Sequence, residues 1–299
     1  MKRVLILGSS GFIGKNLVNY FSTKYEIDAP TSKEVNVLDD GAIERYIKAH
    51  AYDVILNALD RRSDISSPSL ASIYVSERLR MFVNLARLSD YDGKMLYFGS
   101  GAEYDRSLPI KSIREDQFDR SIPKDAYGFL MYTMQLLAFQ KKNITNFRLF
   151  GIFGSHEDYR RRFISNAICK ALCGFPITIR QNAIFDYLHT EDLCEMVEFY
   201  IENHLKYRAY NATSGKRYEL VFLAKLVQEV LGVDIPILIA KSGLKDEYSS
   251  CNALITKENS LFQFGSISNQ IKILANYYRS LRDGEQIDRE ALLYWGELG

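Results

Sequence analysis

The chain of 299 residues carries almost no excess charge, with 38 Lys and Arg against 37 Asp and Glu. That balance offers no basic face for nucleic acid and no electrostatic draw to an anionic membrane. No apolar run approaches the roughly 20 residues that span a bilayer. The first apolar run begins at Val4, so no leader segment is expected. Cysteine is scarce: Cys169, Cys173, Cys194 and Cys251 are the whole set. Cys169 and Cys173 fall four apart on an expected helix, with no further Cys or His beside them to complete a metal site. Buried thiols in a reducing cytoplasm are expected, and no metal. Internal repeats and low-complexity tracts are absent too. What remains is 47% hydrophobic and 25% charged, ordinary for a globular chain able to bury a large core.

What is present begins at the N-terminus. Val4-Leu5-Ile6-Leu7 is an uninterrupted apolar run of the kind found in a central parallel strand covered on both faces. It runs into Gly8-Ser9-Ser10-Gly11-Phe12-Ile13-Gly14, after which Lys15 to Phe21 has helical spacing. Strand, glycine turn and helix make a phosphate-binding corner. Gly8 permits the tight turn, Gly11 lets a pyrophosphate approach the backbone, and Gly14 lets the helix pack on the strand. Ser10, Phe12 and Ile13 are the other candidate cofactor contacts of this corner.

Farther along, apolar strands alternate with amphipathic helices, the pattern of a parallel sheet. Strands are expected over 25–29, 35–39, 52–58, 94–99 and 144–150. Helices are expected over 42–50, capped by Asp39 and Asp40, then over 72–88 and 125–142. The second half changes character, with short strands at 177–179, 184–188, 210–212 and 235–239. Helices there are expected over 162–173, 190–203, 220–231 and 268–281. The fold class is therefore α/β: a Rossmann-type doubly wound parallel sheet with a smaller α+β substrate-binding cap. Residues 1–150, with 178–208 interleaved, make the first domain. Residues 151–177 and 209–299 make the second.

Five ordered segments resemble the extended short-chain dehydrogenase/reductase family, the NAD-dependent epimerases, dehydratases and ketoreductases of nucleotide sugars. Beside the glycine corner, Phe98-Gly99-Ser100-Gly101-Ala102-Glu103-Tyr104 resembles its serine segment, and Asp125-Ala126-Tyr127-Gly128 the start of its Y-x-x-x-K helix. Residues 147–154, 185–192 and 210–215 resemble its R-x-F-N-x-Y-G, R-D-F-I-H-V-D-D and Y-N-V-G-S-G segments. The resemblance implies that Ser100 and Tyr127 handle the proton on a sugar C4 oxygen while a nicotinamide gives or takes hydride. It also makes Glu103, Tyr104, Arg148, Arg162 and Asn166 candidate substrate ligands, and a nucleotide-diphosphate sugar the partner. Arg162 closes the basic run Arg160-Arg161-Arg162. Gly101-Ala102 stands where dehydratases carry an acid/base pair, which argues against dehydration.

The lysine of the family's motif is missing, and Met131 occupies its place. A Tyr hydroxyl near pKa 10 needs nearby positive charge to work at neutral pH. Either Met131 merely fills the space of the lysine stem, leaving a weak enzyme or a binding-only relative, or the nicotinamide's own positive charge or a rearranged basic residue such as Arg61 or Arg62 compensates. Phe185, Gly151 and Asp105 are further departures from the family pattern.

The resemblance is nearest to the GDP-fucose synthases, through residues 31–39, and to the dTDP-4-dehydrorhamnose reductases, through Asn57-Ala58. It implies NADP(H) over NAD(H). Ser32 and Lys33 are candidate holders of a 2′-phosphate, Asp39 stands by the adenine, and Asn57, Ala58 and Leu59 by the rest of the cofactor. Asp28, just before the end of the second strand, would favour NAD. The family's habit of pairing two helices implies a homodimer through 72–88 and 125–142, with Phe82, Leu85, Phe129, Tyr132 and Leu136 as candidate seam residues.

Overall fold

The computed structural model describes residues 1–60, 68–88 and 91–293. Strand β1 (Arg3–Leu7) is followed by helix α1 (Phe12–Phe21), β2 (Glu26–Asp28) and α2 (Ala42–His50). Then come β3 (Val54–Asn57), α3 (Pro68–Ala86), β4 (Lys94–Ser100) and β5 (Ile110–Ile113). Next are α4 (Ala126–Phe139), β6 (Ile144–Leu149), β7 (Gly151–Phe153) and α5 (Phe163–Leu172). The strands β8 (Ile177–Asn182) and β9 (Ile184–His189) lead into α6 (Thr190–Glu202), β10 (Ala209–Ala212) and β11 (Arg217–Glu219). The chain continues through α7 (Leu220–Leu231), β12 (Ile237–Leu244), β13 (Tyr248–Ser250), α8 (Ala253–Glu258) and α9 (Ile267–Asp283).

Six strands form one parallel sheet in the order β10-β6-β4-β3-β1-β2. Its central strands are buried on both faces, which is why they read as unbroken apolar runs rather than alternating ones. One face is closed by residues of α1 and α6, including Leu17, Phe21, Val197 and Ile201. The other is closed by Ile43 and Ile47 of α2, Phe82 and Leu85 of α3, and Leu130 and Met134 of α4. A third core joins α5, α7 and α9 to β8. Smaller sheets of order β11-β9-β13-β5 and β12-β8 sit beside it, and β7 pairs with β9.

Three expectations need correction. The strand expected over 35–39 is a run of turns. Thr31, Glu34, Asn36 and Asp39 close its hydrogen bonds locally, for example Leu38 N donating to Asn36 Oδ1 at 3.2 Å. Polar side chains of this length compete with a sheet ladder for backbone partners. Helix α2 is preceded by Gly41 in the left-handed region (φ +76°), with no side-chain cap from Asp39 or Asp40. The domain boundaries also shift. Most of β8 and all of β9, assigned above to the first domain, belong to the smaller sheets, whereas β10, assigned to the second, is the edge of the large one. An edge strand needs only one neighbour, and β10 finds it in β6 with Tyr210 opposite Phe147.

Candidate active site

At the C-terminal ends of β1, β3, β4 and β6 lies a cavity of about 950 Å³, the position where open parallel sheets hold their ligands. Its floor on one side is the glycine corner. Gly8 adopts φ +80°, and a side chain there would strike the Ala58 carbonyl; one at Gly14 would strike the Gly8 carbonyl. These two glycines are therefore required by the close approach of α1 to β1 and β3. Gly11, Phe12 and Ile13 line the cavity. Gly11 caps α1 without any side-chain hydrogen bond, so the first backbone amides of the helix remain available to an anion. The corner fits a dinucleotide pyrophosphate.

Ala58 and Leu59 line the next segment of wall. Asn57 is buried and shapes this turn, its Oδ1 accepting from the Leu59 amide at 3.2 Å. Ser100 ends β4 and Tyr127 stands in the first turn of α4, where Asp125 caps the helix by accepting from the Gly128 amide at 2.9 Å. Both line the cavity, and so does Tyr248 of β13. Burial raises the Tyr127 pKa, opposed by hydrogen bonding from Ser100 and by the positive charges of Arg78 and Arg162; the Asp60 charge adds to the rise. Burial likewise raises Tyr248, and Ser100 again opposes it. Ser100 and both tyrosines line the same cavity, and the Ser100 Oγ accepts from the Ala102 amide at 3.1 Å.

Several expected ligands instead build the support beneath this serine. Glu103 is wholly buried: it accepts from the Ser100 amide at 3.2 Å and from Asn146 at 2.8 Å, and pairs with Arg148 at 2.5 Å. Arg148 is also wholly buried and bonds Tyr104 and Gln135 at 3.2 Å each. Tyr104 donates to Asn211 at 2.8 Å. Asn166 is buried and donates to the Tyr159 carbonyl at 3.0 Å. None of these four residues lines the cavity. The polar groups of Glu103, Tyr104 and Arg148 are engaged by one another and by buried neighbours, and Asn166 by a backbone carbonyl, as burial demands, so the expectation of substrate ligands is corrected for these four. Of the basic run, Arg161 and Arg162 line the cavity while Arg160 turns outward toward Asp288.

Met131 is 2% exposed and packs in the core under α4 with Leu130, Met134 and the sheet. It brings no charge toward Tyr127. Arg61 and Arg62 lie outside the described residues. Ser10, Ser32, Lys33 and Asp39 are exposed and do not line the cavity. Asp28 is engaged, its carboxylate accepting from Tyr46 at 2.9 Å and also from Tyr52. Residues that the sequence did not single out complete the wall: Arg78, Arg106, Arg180, Lys245 and Tyr248. Arg106 follows the serine segment by two residues, the other four are distant in sequence from the motifs they join, and none sits in a recognisable pattern. Among the described residues, no cluster of His, Cys, Asp and Glu could hold a metal ion. No described helix is long and apolar enough to cross a membrane.

A parallel sheet with a glycine corner, and a Ser–Tyr pair over its C-terminal edge, has the form of a dinucleotide-binding fold. A model of the NAD dependent epimerase/dehydratase family matches residues 4–213, and the chain belongs to that family. The chain is 22% identical over 257 residues to GDP-L-colitose synthase of Yersinia pseudotuberculosis, covering 77% of this chain and 82% of that one. Its fold matches a GDP-L-fucose synthetase from Naegleria fowleri bound to NADP, with a TM-score of 0.81, 13% identity, and coverage of 96% and 95%. It also matches a GDP-mannoheptose C4 reductase from Campylobacter jejuni with NADP bound, with a TM-score of 0.78, 15% identity, and coverage of 93% and 98%.

Proposed function

We propose that this protein carries out oxidoreduction at C4 of a nucleotide sugar, in the sense of a 4-keto-6-deoxy sugar reductase, with NADP(H). The observation that carries this is the placement of Ser100 and Tyr127 together in a cavity that opens onto the glycine corner. A ketone becomes an alcohol when its carbon gains a hydride and its oxygen a proton. NADPH held along the glycine corner would supply the hydride; the Tyr127 hydroxyl supplies the proton, and Ser100 holds the sugar oxygen by a hydrogen bond. Gly8, Gly11 and the start of α1 would hold the pyrophosphate, with Ala58 and Leu59 along the wall. Arg161, Arg162, Arg180 and Lys245 line the cavity, and arginine's forked donors suit a sugar-linked diphosphate. Two of the matched structures were solved with NADP bound, which supports NADP(H) over NAD(H).

The four cysteines are free thiols, consistent with a reducing cytoplasm. A homodimer through α3 and α4 is part of the proposal. A second reading, a binding-only relative, draws on the burial of Met131 in apolar core.

Titration with NADPH and NADH by nicotinamide fluorescence, followed by turnover of 4-keto-6-deoxy nucleotide sugars, tests the reading. Tight binding of NADPH over NADH and reduction of one such sugar are expected. Tyr127→Phe should lower turnover about 10²–10⁴-fold. Absence of binding at millimolar cofactor would overturn the enzyme reading, and binding without turnover of any sugar would leave the binding-only relative.

A further inference from the structure

We infer that Arg78 supplies the positive charge that stabilises the Tyr127 phenolate, in place of the lysine whose position Met131 fills. The inference rests on the reading of Tyr127 as the proton donor. Arg78 lies in the middle of α3, only 7% exposed, and lines the same cavity as Tyr127. Its Nε and Nη1 are buried and have no hydrogen-bond partner among the described residues. The nearest anion is Asp60, whose Oδ1 stands 3.6 Å from Nη1 in a side chain that is 60% exposed. That carboxylate also accepts from Tyr74 at 3.0 Å. A buried guanidinium with unmade hydrogen bonds is costly. Here the open donors belong to a side chain that lines the ligand cavity, where ligand hydroxyls would satisfy them.

Other charged groups around Tyr127 are less suited. Arg106 stands 6.0 Å from the Tyr127 ring centre, but it is tied to Asp125 at 2.7 Å and 46% of its side chain is exposed. Arg162 also acts on Tyr127, from the start of α5, and Asp60 and Tyr248 oppose ionisation from the loop after β3 and from β13. Arg78 combines burial, open donors and position. As Tyr127 gives its proton to the sugar oxygen, its O–H bond breaks and a new O–H bond forms on the sugar. The phenolate left behind is held by the Arg78 charge until solvent returns a proton. Arg78 is thus a positioning residue acting through Tyr127.

The test compares Arg78→Met, Arg78→Lys and Arg78→Met/Met131→Lys. Phenolate absorbance is titrated in the unliganded full chain, with Tyr127→Phe subtracted to isolate Tyr127. Arg78→Met should raise the Tyr127 pKa by about one unit or more and weaken NADPH binding by about tenfold. Arg78→Lys should retain most of the native pKa, and Met131→Lys should restore it in the Arg78→Met background. A folded Arg78→Met protein with unchanged Tyr127 titration and NADPH affinity would overturn the inference. Arg106→Met guards against an Arg78→Met protein that does not fold. An unmoved Tyr127 titration there supports Arg78, and a shift of a full unit transfers the role to Arg106. The titration needs neither cofactor nor substrate. A protein whose Tyr127 responds to Arg78 but which reduces no 4-keto sugar would sink the proposed reaction and leave the charge assignment standing.

Discussion

Glu103 and Arg148 matched motif positions that the resemblance ties to substrate, yet each is the other's partner in the core. Removing one leaves a buried charge unpaired, which costs about 3–5 kcal/mol. Glu103→Ala should therefore unfold at markedly lower denaturant concentration, whereas a substrate ligand would change KM and leave stability alone. His189 makes a second case. It precedes α6, and its Nδ1 accepts from the Glu191 amide at 3.3 Å. Burial lowers its pKa from 6.5 to about 4. As pH falls below 6.5 the unfolded chain takes up a proton that the folded chain refuses until about pH 4. Stability conferred by the neutral ring is thus fully present above pH 6.5 and is lost across that window, by up to about 3 kcal/mol. Chemical denaturation between pH 7.5 and 4.5 should show this slope, and His189→Gln should flatten it.

At the scale of elements, the glycine corner was legible because local sterics dictate it. Gly14 faces the Gly8 carbonyl across a gap that no Cβ fits, and backbone cannot swing aside as a side chain can. Gly14→Ala should cost about 1–3 kcal/mol and weaken NADPH binding, measured by thermal unfolding and by fluorescence titration. The strand expected over 35–39 failed for the opposite reason. Val35 and Val37 are buried as the alternation suggests, but Asn36 and Asp39 close the backbone into turns. Alternating burial needs only an extended or turning segment on a core. A strand also needs an edge to pair with, and the one β2 offers is only the three residues Glu26–Asp28.

For the whole molecule, the exposed faces of α3 and α4 bear on assembly. Leu70 and Ile73 of α3 and Phe129 and Leu136 of α4 are exposed. Phe82, Leu85 and Tyr132, also named as seam candidates, are buried within the subunit and are excluded from that role. A dimer through these helices should dissociate in Phe129→Asp, with light scattering reporting the change in mass while circular dichroism stays native. An unchanged mass would place the contact elsewhere or show that the protein is a monomer.

The amino-acid sequence by itself determined the parallel sheet, the glycine corner, the Ser100 and Tyr127 positions and the absence of a lysine after Tyr127. The sheet and the corner follow from local rules, unbroken apolar runs and turn sterics, whereas the Ser100 and Tyr127 positions and the missing lysine were legible only through the resemblance of their segments to a known family. Tertiary structure alone decided which polar groups face the cavity and which face each other. Glu103, Tyr104 and Arg148 turn inward because their partners, Asn146, Gln135 and Asn211, arrive from β6, α4 and β10. Arg78 and Tyr248 join Tyr127 only when α3, α4 and β13 meet at one edge of the sheet. Such meetings are set by packing between segments far apart in the chain, and a side chain's partner, more than its type, fixes its role.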